Sequence, residues 1–234
     1  KQVKIHRLIA KESAGFQLPV EEIKEAMHVA DVLYLCTPNN PTGVLPSKAT
    51  LTALLEHGKA AQCDIVLDEA FIDFVDEDLS FMSKIKAYNH LIVVRSMTKM
   101  YAIPGIRLGY VAANKEVIQE IKQFAPHWNV NGIAASIGAL CFHEQEFVEK
   151  TKIHSEHERR KLTDFLTAHQ CMVTESVANF ITFKLSDTFK TKQLYEDLLK
   201  KGMVLRHTEN FRGMNGNWLR VGMKATEQMS QLRE

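Results

Sequence analysis

Residues 91–110, LIVVRSMTKMYAIPGIRLGY, decide the fold. LIVV is a short apolar run, rich in β-branched residues, of the kind that forms a buried strand. RSMTK follows at its carboxyl end and brings an arginine, two hydroxyls and a lysine together. AIPGIR carries a Pro-Gly turn signal, and RLGYVAA reads as the next strand. The same grammar extends upstream. CDIVLDEA (63–70) is a strand ending in carboxylates. DVLYLC (31–36) reads as a nearly unbroken buried strand and ends in the turn formers TPNNPTG (37–43). VKIHRLI (3–9) reads as a further strand.

Helices fill the gaps. PVEEIKEAMHVA (19–30) puts Val20, Ile23 and Met27 on one face. SKATLTALLEHGKAA (47–61) offers Ser47 as N-cap and Leu51, Leu54 and Leu55 to the core. KEVIQEIKQF (115–124) has Val117, Ile121 and Phe124 at helical spacing and stops before Pro126. Apolar strands alternating with amphipathic helices predict an α/β unit with a mostly parallel sheet covered on both faces. After IAASIGALCF (133–142) the character changes. A charged helical stretch (144–170) carries Phe147, Ile153, Leu162, Phe165 and Leu166 as its apolar positions. Strand NFITFKL, helix KTKQLYEDLLKKG and strands MVLRHT and NWLRVGM follow. The expectation is a large domain over 1–150 and a smaller α+β domain over 151–234.

Composition narrows the function classes. The chain has 234 residues, 45% hydrophobic and 24% charged, with a formal net charge of +1. That balance lacks the basic footprint of a nucleic-acid binder, and no apolar run is long enough to span a bilayer. Cys36, Cys63, Cys141 and Cys171 are far apart and read as free thiols of a cytoplasmic protein. His154 and His157 lie on a charged helix and read as a solvated face, so no metal is expected. The chain opens on Lys1 in what reads as a strand entered mid-fold, so an N-terminal part of the native protein is expected to precede it.

Ligands of open α/β sheets sit beyond the carboxyl ends of the strands. TPNNPTG, DEAF and RSMTK all fall at such ends, so a lysine, an aspartate, an asparagine and an arginine would converge on one crevice.

PNNPTG (38–43), LDEAFIDF (67–74) and SMTKMYAIPGIRLGY (96–110), in that order, resemble the fold-type I enzymes dependent on pyridoxal 5'-phosphate (PLP). VLRHTENFRGMNGNWLRVGMK (204–224) extends the resemblance over essentially the whole chain. It implies the aspartate aminotransferase fold, with PLP as cofactor. Lys99 would hold the cofactor through its amine, which must be unprotonated to react with an aldehyde. Asp68 would meet the pyridine nitrogen and keep it protonated. Asn40 would hydrogen-bond the phenolic oxygen and also face the substrate. Ser96, three residues before Lys99, and Arg107, eight after, would bind the phosphate. The glycine-rich turn and the ring-stacking aromatic of the family would lie upstream of residue 1. Arg220 would bind the substrate carboxylate, and Arg206 is a second anion-binding candidate. Asn129 would either line the pocket or cap a helix.

Phe71 separates two branches of this family. Aminotransferases of the histidinol-phosphate branch usually carry DEAY, whose tyrosine hydroxyl reaches the phenolic oxygen; phenylalanine cannot donate. DEAFIDF and RHTENFRGMNG are more similar to threonine-phosphate decarboxylases, which make 1-aminopropan-2-yl phosphate for cobalamin. The resemblance therefore implies decarboxylation of L-threonine O-3-phosphate, with histidinol-phosphate-type transamination as the alternative. A transcription regulator carrying an aminotransferase-like domain is the distant alternative. The expected partners are a phosphorylated amino acid and a second copy of the chain, with no nucleic acid and no membrane.

Overall fold

In β2 (Asp64–Asp68) and β3 (Leu91–Ser96) burial alternates residue by residue. Ile65, Leu67, Leu91 and Val93 are sealed on one face, while Val66, Asp68, Val94 and Ser96 on the other are half-buried. The computed structural model describes residues 3–186 and 189–234 of the chain. β1 (Val32–Cys36) pairs parallel with β2, and β2 parallel with β3. β4 (Gly109–Ala112) returns antiparallel, giving the order β1-β2-β3-β4. Helices α1 (Val20–Met27) and α2 (Lys48–Ala61) pack on the sealed face. Leu51, Leu54 and Leu55 enter that core, and Ser47 caps α2 by accepting from Thr50 N at 3.0 Å.

Two expectations need correction. Residues 3–9 form no strand: Val3 and Ile5 are exposed, and nothing in the sheet pairs with them. Alternating polarity suits a strand, but a strand also needs a partner ladder. β1 is not fully buried either. It is an edge strand with Val32 and Tyr34 on an open face, so the sheet is sealed on one side only among the described residues.

A short helix α3 (Met97–Met100) leaves the end of β3. Helices α4 (Lys115–Phe124) and α5 (Gly132–Cys141) follow β4. Val117, Ile121 and Phe124 are not buried, and Phe124 is 86% exposed. The long helix α6 (Gln145–Ala168) then buries Leu162 and Leu166, while Ile153 stays exposed.

The second sheet is antiparallel throughout, in the order β5-β6-β8-β7. Its strands are β5 (Met172–Val173), β6 (Phe180–Lys184), β7 (Arg206–His207) and β8 (Leu219–Gly222). Helices α7 (Thr191–Lys200) and α8 (Thr226–Arg233) accompany it. Leu162, Leu166, Ile181, Phe183, Leu219 and Val221 form its core with α6. α8 was not foreseen; it is polar along most of its length and buries only Met229. Glu158 of α6 ties it down, accepting from Thr226 Oγ1 at 3.1 Å and Arg233 Nη1 at 3.2 Å. Cys36, Cys63, Cys141 and Cys171 are free thiols.

Candidate active site

Parallel pairing aligns the carboxyl ends of three strands. Cys36 lies beside Asp68 and Asp68 beside Val94, so the segments that follow β1, β2 and β3 leave one edge of the sheet together. Asn40 follows β1, Asp68 ends β2, and Ser96 and Lys99 follow Val94.

The 37–43 loop is held by the second sheet. Thr182 Oγ1 donates to Pro41 O, Thr174 Oγ1 to Thr42 O at 2.7 Å, and Val177 N to Gly43 O at 3.0 Å. Gly43 has φ +73°, and a Cβ there would stand 1.8 Å from Ser176 Oγ, so no other residue fits this approach. Asn40 Oδ1 accepts from Arg220 Nη1 of β8. A loop of the first sheet and a strand of the second thus meet at two predicted site residues 180 positions apart. Arg220 also lies over the Phe180 ring, 5.0 Å from its centroid. Burial, then the positive charge of Arg206, lowers its pKa from the ordinary guanidinium value.

Asp68 is half-buried. Tyr34 Oη donates to its Oδ2 at 2.6 Å and Ala70 N to its Oδ1 at 3.2 Å. The Cys36 thiol beside it is pushed up to about 11, by burial first and then by the Asp68 charge. Lys99 is half-buried on α3 and donates to Thr98 Oγ1 at 3.0 Å. Thr98 Oγ1 also lies 2.8 Å from Ser96 Oγ, which makes a hydroxyl pair under the amine. Lys99 Nζ stands 5.7 Å from the centre of the Phe71 ring. Phe71 is 8% exposed and meets Phe180 edge-on at 5.0 Å. The amine therefore looks onto an apolar aromatic wall that ends at Arg220.

Asn40, Phe71, Lys99 and Arg220 are linked by this chain of contacts. Arg107 is not. It is exposed, has φ +57°, and donates to Pro104 O at 3.1 Å; among the described residues no hydrogen bond joins it to Ser96 or Lys99. Arg206 sits opposite Arg220 in the β7–β8 pair, exposed, and donates to Asn210 Oδ1 at 3.1 Å. Asn129 is exposed, and the cap of α5 is Asn131, not Asn129. Thr98 and Tyr34 were missed. Thr98 could have been found from its place between Ser96 and Lys99; Tyr34 lies within DVLYLC, which reads as a buried strand.

The donor set suits a pyridine aldehyde phosphate. Asp68 has one donor on each oxygen, although a carboxylate can accept about four hydrogen bonds in all. Asn40 keeps its amide N–H groups, because Arg220 uses only its oxygen. Lys99 is the amine and Ser96 the hydroxyl; Arg107 would have to turn from Pro104 to reach a phosphate.

Comparison with known proteins agrees. The model of the family "Aminotransferase class I and II" matches residues 1–234. The chain is 30% identical over 230 residues to the threonine-phosphate decarboxylase of Salmonella typhimurium, covering 97% of this chain and 63% of that one. It is 31% identical over 224 residues to the histidinol-phosphate aminotransferase of Clostridium kluyveri, covering 94% and 61%. Among solved structures, the histidinol-phosphate aminotransferase of Clostridium acetobutylicum superposes with a TM-score of 0.89 at 30% identity, over 94% of this chain and 66% of that one. The chain thus spans somewhat over three-fifths of these relatives' lengths. The fold is the one the sequence resemblance implied, and PLP is the cofactor of enzymes built this way. On the match along its whole length, the chain belongs to the aminotransferase class I and II family.

Proposed function

We propose that the chain binds PLP at the edge formed by β1, β2 and β3 and decarboxylates L-threonine O-3-phosphate to 1-aminopropan-2-yl phosphate. When bound, PLP supplies an electron sink for the charge left at the substrate Cα as the carboxylate departs. Lys99 is the amine that holds the cofactor aldehyde. Asp68 keeps a proton on the ring nitrogen, and Asn40 donates its amide N–H to the phenolic oxygen. Ser96 and Arg107 take the cofactor phosphate. Arg220 takes the substrate carboxylate and Arg206 a second anionic group. Residues 1–150 form the cofactor-binding part and 151–234 the part that closes over it. Two copies act together as a homodimer in the cytoplasm.

Phe71 carries the choice of reaction. Its ring centre lies 5.7 Å from the Lys99 amine and it packs on Phe180, with no hydroxyl at a position where aminotransferases of this branch usually carry tyrosine. An apolar wall excludes water and offers no donor beside the reacting centre. The TM-score of 0.89 to a histidinol-phosphate aminotransferase favours the second reading, amino transfer from histidinol phosphate to 2-oxoglutarate. Product analysis of the full-length protein separates them. CO2 and 1-aminopropan-2-yl phosphate from threonine phosphate support decarboxylation; amino transfer from histidinol phosphate without CO2 release from threonine phosphate refutes it.

A further inference from the structure

Tyr34 is the side chain of β1 that reaches Asp68. It lies on β1, the edge strand of the first sheet among the described residues, with 60% of its surface exposed there. Its hydroxyl nevertheless makes one of the shortest side-chain bonds of the first sheet, 2.6 Å to Asp68 Oδ2. Tyr34 and Cys36 are two residues apart on β1, and Cys36 is the register partner of Asp68. The tyrosine therefore points to the same face as the aspartate and reaches it diagonally across the strand pair. A phenylalanine would serve the strand equally well; only the hydroxyl requires tyrosine.

The bond has a consequence for the carboxylate. Ala70 N engages Oδ1 at 3.2 Å, so Asp68 is gripped at both oxygens, once by its own turn and once by the neighbouring strand. Burial first, and then the Asp68 acceptor and its charge, push the Tyr34 pKa above its ordinary value, so the phenol stays a donor throughout the working range. A carboxylate restrained at both ends cannot swing away from its target.

We propose that Tyr34 is a positioning residue for the cofactor, acting through Asp68: its hydroxyl fixes the carboxylate that holds the ring-nitrogen proton of PLP. This rests on the reading of Asp68 as the ring-nitrogen partner. Tyr34 acts only through this bond to Asp68.

The test is equilibrium binding by the full-length apoprotein of PLP and of its 1-deaza analogue, in which carbon replaces the ring nitrogen. In wild type, PLP binds more tightly than the analogue. In Tyr34→Phe, PLP affinity falls about tenfold, roughly what one hydrogen bond to a charged group is worth, while affinity for the analogue is unchanged. The melting temperature of the apoprotein stays as in wild type. Equal losses for both ligands would make Tyr34 a structural residue only, and no loss for either would make its bond idle; both overturn the proposal while Asp68 keeps its role. A wild-type protein that does not prefer PLP over the analogue removes the ring-nitrogen role of Asp68, and the proposal with it.

Discussion

Asp68 and Glu69 are neighbours at the end of one strand, yet they live in opposite worlds. Glu69 is 1% exposed and accepts three hydrogen bonds, one of them from a cation. Its Oε1 accepts from Phe81 N at 2.8 Å, and its Oε2 from Ser80 Oγ at 2.8 Å and Arg95 Nε at 2.9 Å. Arg95 is equally engaged, donating also to Asp73 at 2.7 Å, Glu77 at 3.1 Å and Ser80 at 2.7 Å. Asp68, on the other face, is half-buried with one donor per oxygen. A sealed carboxylate whose two oxygens are both engaged holds a fold together, because no ligand can reach it. A carboxylate with acceptor capacity left, at the carboxyl end of a strand, is available for chemistry.

Breaking the structural half should give the largest effect. Glu69→Ala leaves Arg95 Nε and Phe81 N buried without their acceptor, although Asp73 and Glu77 still face the guanidinium, and should cost about 2–3 kcal/mol of stability. Denaturant melts should show it, while the folded fraction keeps its activity per molecule. A wild-type melt with lost turnover would invert the comparison. Asp68→Asn should do the opposite: a melting temperature close to wild type and a turnover about a hundredfold lower, since a neutral amide cannot hold the ring-nitrogen proton. Arg220→Lys should raise KM about tenfold with a smaller change in kcat, because an ammonium cannot reproduce a two-pronged bond to a carboxylate. It also loses the contact to Asn40, so the variant probes the link between the two sheets.

The smallest effect concerns Asp73 at the rim of the Glu69 network. Burial, opposed by Arg95, raises the pKa of its carboxyl. A carboxylate whose folded pKa lies above its unfolded value destabilises when ionised. That cost is full above the folded pKa and vanishes as pH falls below the unfolded one. Asp73→Asn should therefore stabilise at neutral pH by less than about 1 kcal/mol, and the gain should disappear in acid. Melting temperatures of the two proteins across pH check this; a gain that grows in acid would contradict it.

Much of the fold was legible because its strands are short apolar runs ending in polar clusters. IVLD and LIVV could be placed from composition, and Ser47 from capping chemistry. VKIHRLI was misread because a strand is defined by its partner, which local pattern does not report. Tyr34 was misread because an edge strand and a central one look alike in sequence. Asn40, Asp68 and Lys99 were legible as the polar ends of three strands. The bond between Asn40 and Arg220 was not, since it joins positions 180 apart through a tertiary contact. The arginine of RSMTK, Arg95, was expected in the crevice, but it is buried among Glu69, Asp73 and Glu77, and Glu69 was passed over. Each looks like part of a polar site motif, and only the packing beneath the sheet shows that they belong to the core.

The most direct test of the central claim is covalent. The full-length protein is loaded with PLP, reduced with borohydride, digested and mapped by mass spectrometry. A pyridoxyl label on Lys99, absent from Lys99→Ala, is the expected result. A label on another lysine, or an unlabelled Lys99 in protein that has bound PLP, would show that the cofactor sits somewhere other than the rim of β1, β2 and β3.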